Sequence, residues 1–380
     1  MRRPTPRCSP KSRLKVRHIG PLLYIRQAIA RDLSKRISAA CACADVQALG
    51  STQRTLYRAR VEPHLTYGCE VALDVRPQSV GLLEKVQLAV FRRLLGLASR
   101  SQLIPLFSET GLWPIRYRRL ELALRFAQYV LREQPRLALA ALHDAYTLAS
   151  LGCMSWVSDL CHAFRALPCP VQVPCFASPQ PTEQMFSDLA AALSASLARW
   201  LYDGILLCDR LPILQWRCRP TLFPPSQIPP LRLLCAWHGY LLVPNNSHRQ
   251  ALTRLLASEH PFAIEVLRRA QPPVPRHWRI CRYCQRQSAV ETEVHVLFDC
   301  PDPRLLALRD PFLHDAQSIV GPIIQEPMHR WSSLQLLDFL LTRDKLLVRL
   351  AEYVHAVVQL TDSIPVMCVL DDATYHTLLL

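Results

Sequence analysis

Three cysteines and a histidine fall within CRYCQRQSAVETEVHVLFDCP, residues 281–301. Cys281 and Cys284 stand as C-x2-C, the spacing at which one tight turn aims two sulfurs at a single ion. With His295 and Cys300 the pattern becomes C-x2-C-x10-H-x4-C. The four donors make a Cys3His set whose thiolates and imidazole suit one Zn2+ in closed tetrahedral coordination. A closed shell leaves no position for a reacting water, so the expected role of the ion is structural. The competing reading is chance clustering of small buried thiols. A lone C-x2-C would not separate the two, but the complete pattern, followed by a proline, is far more restrictive.

The donors need elements that bring them together. Val290, Val294, Leu297 and Phe298 recur at helical spacing and predict a short amphipathic helix that carries His295. A continuous α-helix would place Cys300 about 140° around from His295. Pro301 resolves this, because the residue before proline is pushed out of the α region; the helix should end near Cys300. Asp302 should then cap a new helix with Pro303 at its first position. Arg279, Arg282 and Arg286 are close enough in sequence to offset the one negative charge left by three thiolates on Zn2+. The stretch PRHWRICRYCQR also alternates Arg276, Arg279, Arg282 and Arg286 with His277, Trp278 and Tyr283. Guanidinium groups bind backbone phosphates and exposed rings stack on unpaired bases, so these six arginine, tryptophan and tyrosine side chains are candidate nucleic-acid contacts. The alternative is that Trp278 and Tyr283 pack beneath the metal loop. A second group, Cys208, Cys218, Cys235 and His238, lacks paired spacing and reads as small buried side chains.

The whole chain carries a formal charge of +15, and arginine outnumbers lysine roughly eightfold. Both favour an anionic partner, RNA or single-stranded DNA, with coding-sequence bias as the bland explanation of the arginines. No acid precedes Asp32, whereas seven basic residues lie between Arg2 and Arg17, interrupted by prolines. That arm should be disordered and phosphate-seeking. No apolar block follows it, so a secretory signal is not expected. The 15 cysteines then read as reduced thiols with some metal binding, in a nuclear or cytoplasmic protein. The longest apolar run, from Leu137, is broken by His143 and Asp144 and is too short to span a bilayer. No membrane or small-molecule partner is expected.

With 31 prolines, 10 glycines and half its residues hydrophobic, the chain reads as mainly α, a multi-helical protein punctuated by proline loops. Apolar stripes predict helices over 21–48, 77–98, 115–132, 183–210, 231–243, 247–270 and 331–360. Another, through TLYRARVE, should be capped by Ser51 or Thr52 and stopped by Pro63. The expected organisation is a basic arm (1–19), a helical region (20–135), a helical region with proline-rich linkers (136–270), a metal module (271–315) and a helical tail (316–380).

Part of this pattern resembles the segment that follows the catalytic palm in reverse transcriptases of non-LTR retrotransposons. The resemblance is carried by Leu56, Tyr57, Pro63, Tyr67, Gly68 and Glu70, then Leu83, Glu84, Gln87, Arg92, Leu94, Leu95 and Gly96, then Glu109, Gly111, Pro114, Ile115 and Arg118. It implies a helical, thumb-like part that grips a primer–template. Cys281, Cys284, Glu291, Thr292, His295, Cys300 and Pro301 are similar to the zinc-binding segment near the end of the same polyproteins. That implies zinc ligation and a nucleic-acid role. The family's paired palm aspartates are missing: Asp371 and Asp372 are adjacent but follow the thumb-like region instead of preceding it. Asp302 and Asp315 only loosely mimic the carboxylates of the family's nuclease, and no lysine follows at the needed interval. The expectation is therefore a retrotransposon-derived, non-catalytic zinc-binding protein with non-specific affinity for RNA or single-stranded DNA. The alternative is a helical interaction scaffold in which zinc only staples the fold.

Overall fold

Proline, small capping side chains and one left-handed glycine set where the helices begin and stop. The computed structural model describes residues 54–173, 180–218, 228–286, 288–324 and 330–367. The basic arm, the expected 21–48 helix, the Ser51/Thr52 cap and Asp371/Asp372 lie outside the described residues. In chain order the helices are α1 (Glu62–Thr66), α2 (Pro77–Leu95), α3 (Ile104–Ser108), α4 (Ile115–Glu133), α5 (Arg136–Ser150), α6 (Trp156–Arg165) and α7 (Glu183–Leu206). They continue with α8 (Pro212–Cys218), α9 (Leu231–Leu234), α10 (Asn246–Leu256), α11 (Ala263–Val266), α12 (Pro303–Val320), α13 (Ser333–Leu341) and α14 (Asp344–Asp362). The fold is mainly helical; extended pairing among the described residues is confined to the isolated bridges Thr110–Trp237 and Ile280–Val290.

Local chemistry explains the better-placed ends. Pro77 opens α2, and Gly96, at φ 65°, closes it by donating to the Arg92 and Arg93 carbonyls. Ser155 and Ser332 form reciprocal capping boxes with Ser158 and Gln335 on α6 and α13. Thr182, Asn245 and Asp302 accept from backbone N–H groups at the starts of α7, α10 and α12.

One hydrophobic core runs from Tyr57 to Val357 and includes Cys281 and Cys300. A buried polar residue organises its first part. Gln87 on α2 donates to the Tyr57 hydroxyl (2.8 Å) and the Trp113 carbonyl (2.9 Å), and accepts from the Ile115 N–H (2.8 Å). It thereby satisfies an otherwise unpaired donor at the start of α4. Glu84–Arg116 and Glu62–Arg118 ion pairs reinforce the same junction. Arg119, buried, pairs with Asp74 and donates to the Leu65 carbonyl (2.7 Å).

Four predicted helices differ from those observed. Helical backbone does not stop at Pro63. A π turn over Tyr57–Val61 precedes it, with the Glu62 N–H bonded to the Tyr57 carbonyl, so the proline falls in the first two positions of α1, where its missing N–H is harmless. The 231–243 segment is α-helical only in α9, with a separate 3-10 turn at Gly239–Leu242, because the backbone between them pairs elsewhere: Ala236 N–H donates to Ser108 O and His238 N–H to Glu109 O. Gly111, at φ 61°, admits this approach; a Cβ there would lie 2.8 Å from the Ala236 carbonyl carbon. The 247–270 helix ends at α10, where Ser258 turns to φ 56° ahead of Pro261. The 331–360 helix is two, α13 and α14, separated by extended Arg343.

Candidate metal centre

The C-x2-C turn sits at the tip of a minimal hairpin. The Ile280–Val290 bridge closes it, with Cys281 N–H donating to Ala289 O and Glu291 N–H to Arg279 O, both 2.9 Å. Gln285 at φ 52° makes the left-handed turn, its N–H bonded to the Cys281 carbonyl. Thr292 then starts the second element: its hydroxyl accepts from the His295 N–H (3.2 Å) and its carbonyl from Val296 N–H (3.0 Å).

The expected helix under His295 is a π turn, His295–Asp299. Its i→i+5 bond, Cys300 N–H to His295 O at 2.7 Å, returns Cys300 over the histidine. This removes the angular offset that an α-helix would impose. Cys300 itself is extended, at φ −68° and ψ 126°, as a residue before proline should be.

The four donors converge. Cys281 Sγ lies 3.8 Å from Cys300 Sγ, and Cys284 Sγ lies 3.5 Å from His295 Nε2. All four donor atoms are within 4.8 Å of one another and could hold a metal ion. Cys281 and Cys300 are fully buried and Cys284 and His295 half-buried, so the site opens on one side only. The hydrogen bond shared by the Cys281 and Cys300 sulfurs lowers the Cys300 pKa, with His295 assisting. The same bond, with burial, pushes Cys281 up. A thiolate is the form in which cysteine ligates a metal.

The surrounding residues clarify which neighbours serve the fold. Arg282 is buried, and so is Glu291, at 4% and 0% exposure. Arg282 Nη2 lies 2.8 Å from Glu291 Oε1, and its Nε donates to both carboxylate oxygens. The remaining guanidinium donors reach the carbonyls of Pro261, Thr361 and Ile364. All five donors are thus used. Glu291 also accepts from the N–H groups of Arg282 and Ala263, both at 2.7 Å. Tyr283 is buried, its hydroxyl 2.7 Å from Thr361 Oγ1.

These contacts correct the expected nucleic-acid set. Arg282 and Tyr283 are inaccessible to phosphate or base because they pin the turn to α14. Arg279 is half-buried and spends donors on the Val274 and Ile264 carbonyls. Trp278 is half-buried against a small satellite core of Ala263, Leu267 and Val274. Arg276 and Arg286 are exposed.

The expected compensation of the thiolate charge by Arg282 fails for the same reason: Glu291 already neutralises it. Sequence reasoning missed Arg309 on α12. It is buried, donates from Nη2 to the Cys300 carbonyl (3.0 Å), and its Nη1 has no hydrogen-bond partner. A buried cation beside the cysteine cluster is electrostatically matched to a site carrying net negative charge. Only its position nine residues beyond Cys300 hinted at this.

The second cysteine group does not form a donor set; among the described residues, the 281–300 cluster is the one group of three or more metal-type donors. Burial pushes the Cys218 and Cys235 thiols up, to about 11 and about 12. Cys235 donates to the Phe107 carbonyl, and His238 lies 3.8 Å from Glu109. Asp302 is the α12 cap, paired with Arg304, while Asp315 is half-exposed near Arg349. Thirteen residues of helix hold these two carboxylates about 20 Å apart.

No helix among the described residues is long and apolar enough to cross a membrane. Comparison with protein-family models, curated proteins and solved structures finds no match.

Proposed function

We propose that the chain is a non-catalytic nucleic-acid-binding protein of retrotransposon descent whose folded end is stapled by one structural Zn2+. The carrying observation is the donor geometry. Zinc with sulfur at about 2.3 Å and nitrogen at about 2.0–2.1 Å, in a tetrahedron, requires S–S edges of about 3.8 Å and S–N edges of about 3.5 Å. The Cys281–Cys300 and Cys284–His295 separations are 3.8 and 3.5 Å. Four protein ligands would close the shell and leave no position for a reacting water. The net charge of +15 and the exposed Arg276 and Arg286 support RNA or single-stranded DNA as partner, in the nucleus or cytoplasm.

The scaffold reading draws on a different observation: the buried Arg282 and Tyr283 devote the loop itself to the fold. Two measurements separate the readings. Metal analysis of purified protein should find about one zinc per chain, lost in Cys284→Ser and kept in Cys235→Ser. Zinc-loaded protein should bind a single-stranded oligonucleotide with steep salt dependence and little sequence preference. Stoichiometric zinc without binding would leave only the scaffold; no zinc in well-folded protein would remove the staple.

A further inference from the structure

A second charged cluster lies beside the metal module, and it is built around one carboxylate. Glu265 on α11 is buried at 3% exposure. Its Oε2 lies 2.8 Å from Arg210 Nη2, 3.0 Å from Arg268 Nη2 and 3.5 Å from Arg269 Nη2. Three guanidinium groups on one oxygen leave two positive charges uncompensated. The Ser258 carbonyl, also buried, accepts from Arg210 and Arg269, each at 3.2 Å. Buried acceptors therefore fix the guanidinium groups from beneath, while the side chains of Arg210, Arg268 and Arg269 stay 19%, 33% and 49% exposed. The loop closes on itself through Val274 N–H to Leu267 O (3.0 Å), which returns exposed Arg276 toward the cluster. The Arg279 pKa registers the same neighbourhood: burial and then Arg276 lower it, Glu265 raises it and Arg268 lowers it.

A satisfied structural ion pair needs one cation for Glu265. The surplus cations, held in place with outward N–H edges, match what a phosphodiester offers: negative oxygens that accept from planar guanidinium forks. We propose that Arg210, Arg268 and Arg269, organised by Glu265 and flanked by Arg276, seat the backbone phosphates of single-stranded nucleic acid. This deepens the nucleic-acid reading and rests on it, moving the principal contact from the cysteine turn to the α11 end of the module. The contacts are to phosphate, so a uridine 20-mer and a thymidine 20-mer should bind alike.

The test uses the zinc-loaded chain with both 20-mers, followed by fluorescence anisotropy across a salt series. The R268Q/R269Q double variant removes two phosphate partners. The slope of log K against log salt should become shallower by about 1.4, at about 0.7 per phosphate on a single strand. R268Q alone, whose guanidinium contacts only Glu265, should give about half that change. R132Q/R349Q carries the same charge loss at two exposed arginines elsewhere and should leave the slope unchanged. Zinc content and circular dichroism identify folded variants. An unchanged slope in R268Q/R269Q and in R268Q, or an equal loss in R132Q/R349Q, overturns the cluster while the nucleic-acid reading stands. Failure of the unaltered protein to bind either 20-mer overturns both.

Discussion

Arg282 and Arg286 are four residues apart and have opposite duties. Arg286 is exposed at the turn, whereas Arg282 is buried with Glu291 and spends all five donors on the fold. Removing one partner of a buried pair strands the other charge. Arg282→Gln should therefore cost about 3–5 kcal/mol, while Arg286→Gln should stay within about 0.5 kcal/mol. Urea titration of the zinc-loaded variants reads the difference; equal midpoints would remove Arg282 from the staple. At this scale the four metal donors were legible because ligand spacing is local: a turn supplies two and a proline-terminated helical turn the others. Arg309, the Arg282–Glu291 pair and the arginines on Glu265 were not legible. Each depends on segments that meet only after folding, and an arginine's sequence neighbourhood does not reveal which carboxylate or carbonyl occupies its donors.

Among the elements, α2, α4 and α7 could be read from their apolar stripes, since each buries one face along most of its length. The 231–243 segment carried enough apolar residues to suggest the same but takes its hydrogen bonds from the α3–α4 connection. Nonlocal backbone pairing leaves no period to read. Glu109, where α3 ends, is the hub of that arrangement. It accepts from Arg217 on α8 and from Tyr240, each at 2.9 Å, and from Ser108 at 3.0 Å. Burial pushes its pKa up, but Arg217, His238 and the hydrogen bonds from Arg217 and Tyr240 outweigh this and hold it at about 2, against an ordinary 4.5. A depressed carboxylate contributes stability that is present above its unfolded value and is lost as pH falls through the folded one. The advantage of the unaltered chain over Glu109→Gln should thus be full above about pH 4.5 and fade toward pH 2. Comparing thermal midpoints of the two proteins at matched pH cancels acid effects on other groups. A difference that stays constant down to pH 2 would contradict an ionised hub.

For the whole molecule, the deciding feature is that the metal cluster belongs to the main core. Cys281 and Cys300 pack within it, the Tyr353 hydroxyl on α14 donates to the Leu297 carbonyl in the π turn, and Arg282 binds the end of α14. α14 also packs along α10 and α12. The sequence marked residues 271–315 as a metal module followed by a helical tail. The contacts indicate that α14 should loosen with the module on metal loss, because its anchoring partners are the residues that a bound ion would hold in place. Hydrogen exchange before and after chelation should show protection falling over residues 276–312 and along α14. α4 and α7, which pack against each other away from the cysteines, should retain theirs. Exchange confined to 276–312 would mean that α14 is held by its remaining neighbours, α10 and α13 among them. Uniform loss across α4 and α7 would make the metal a requirement for the entire helical core, a larger role than four ligands at one end of it imply.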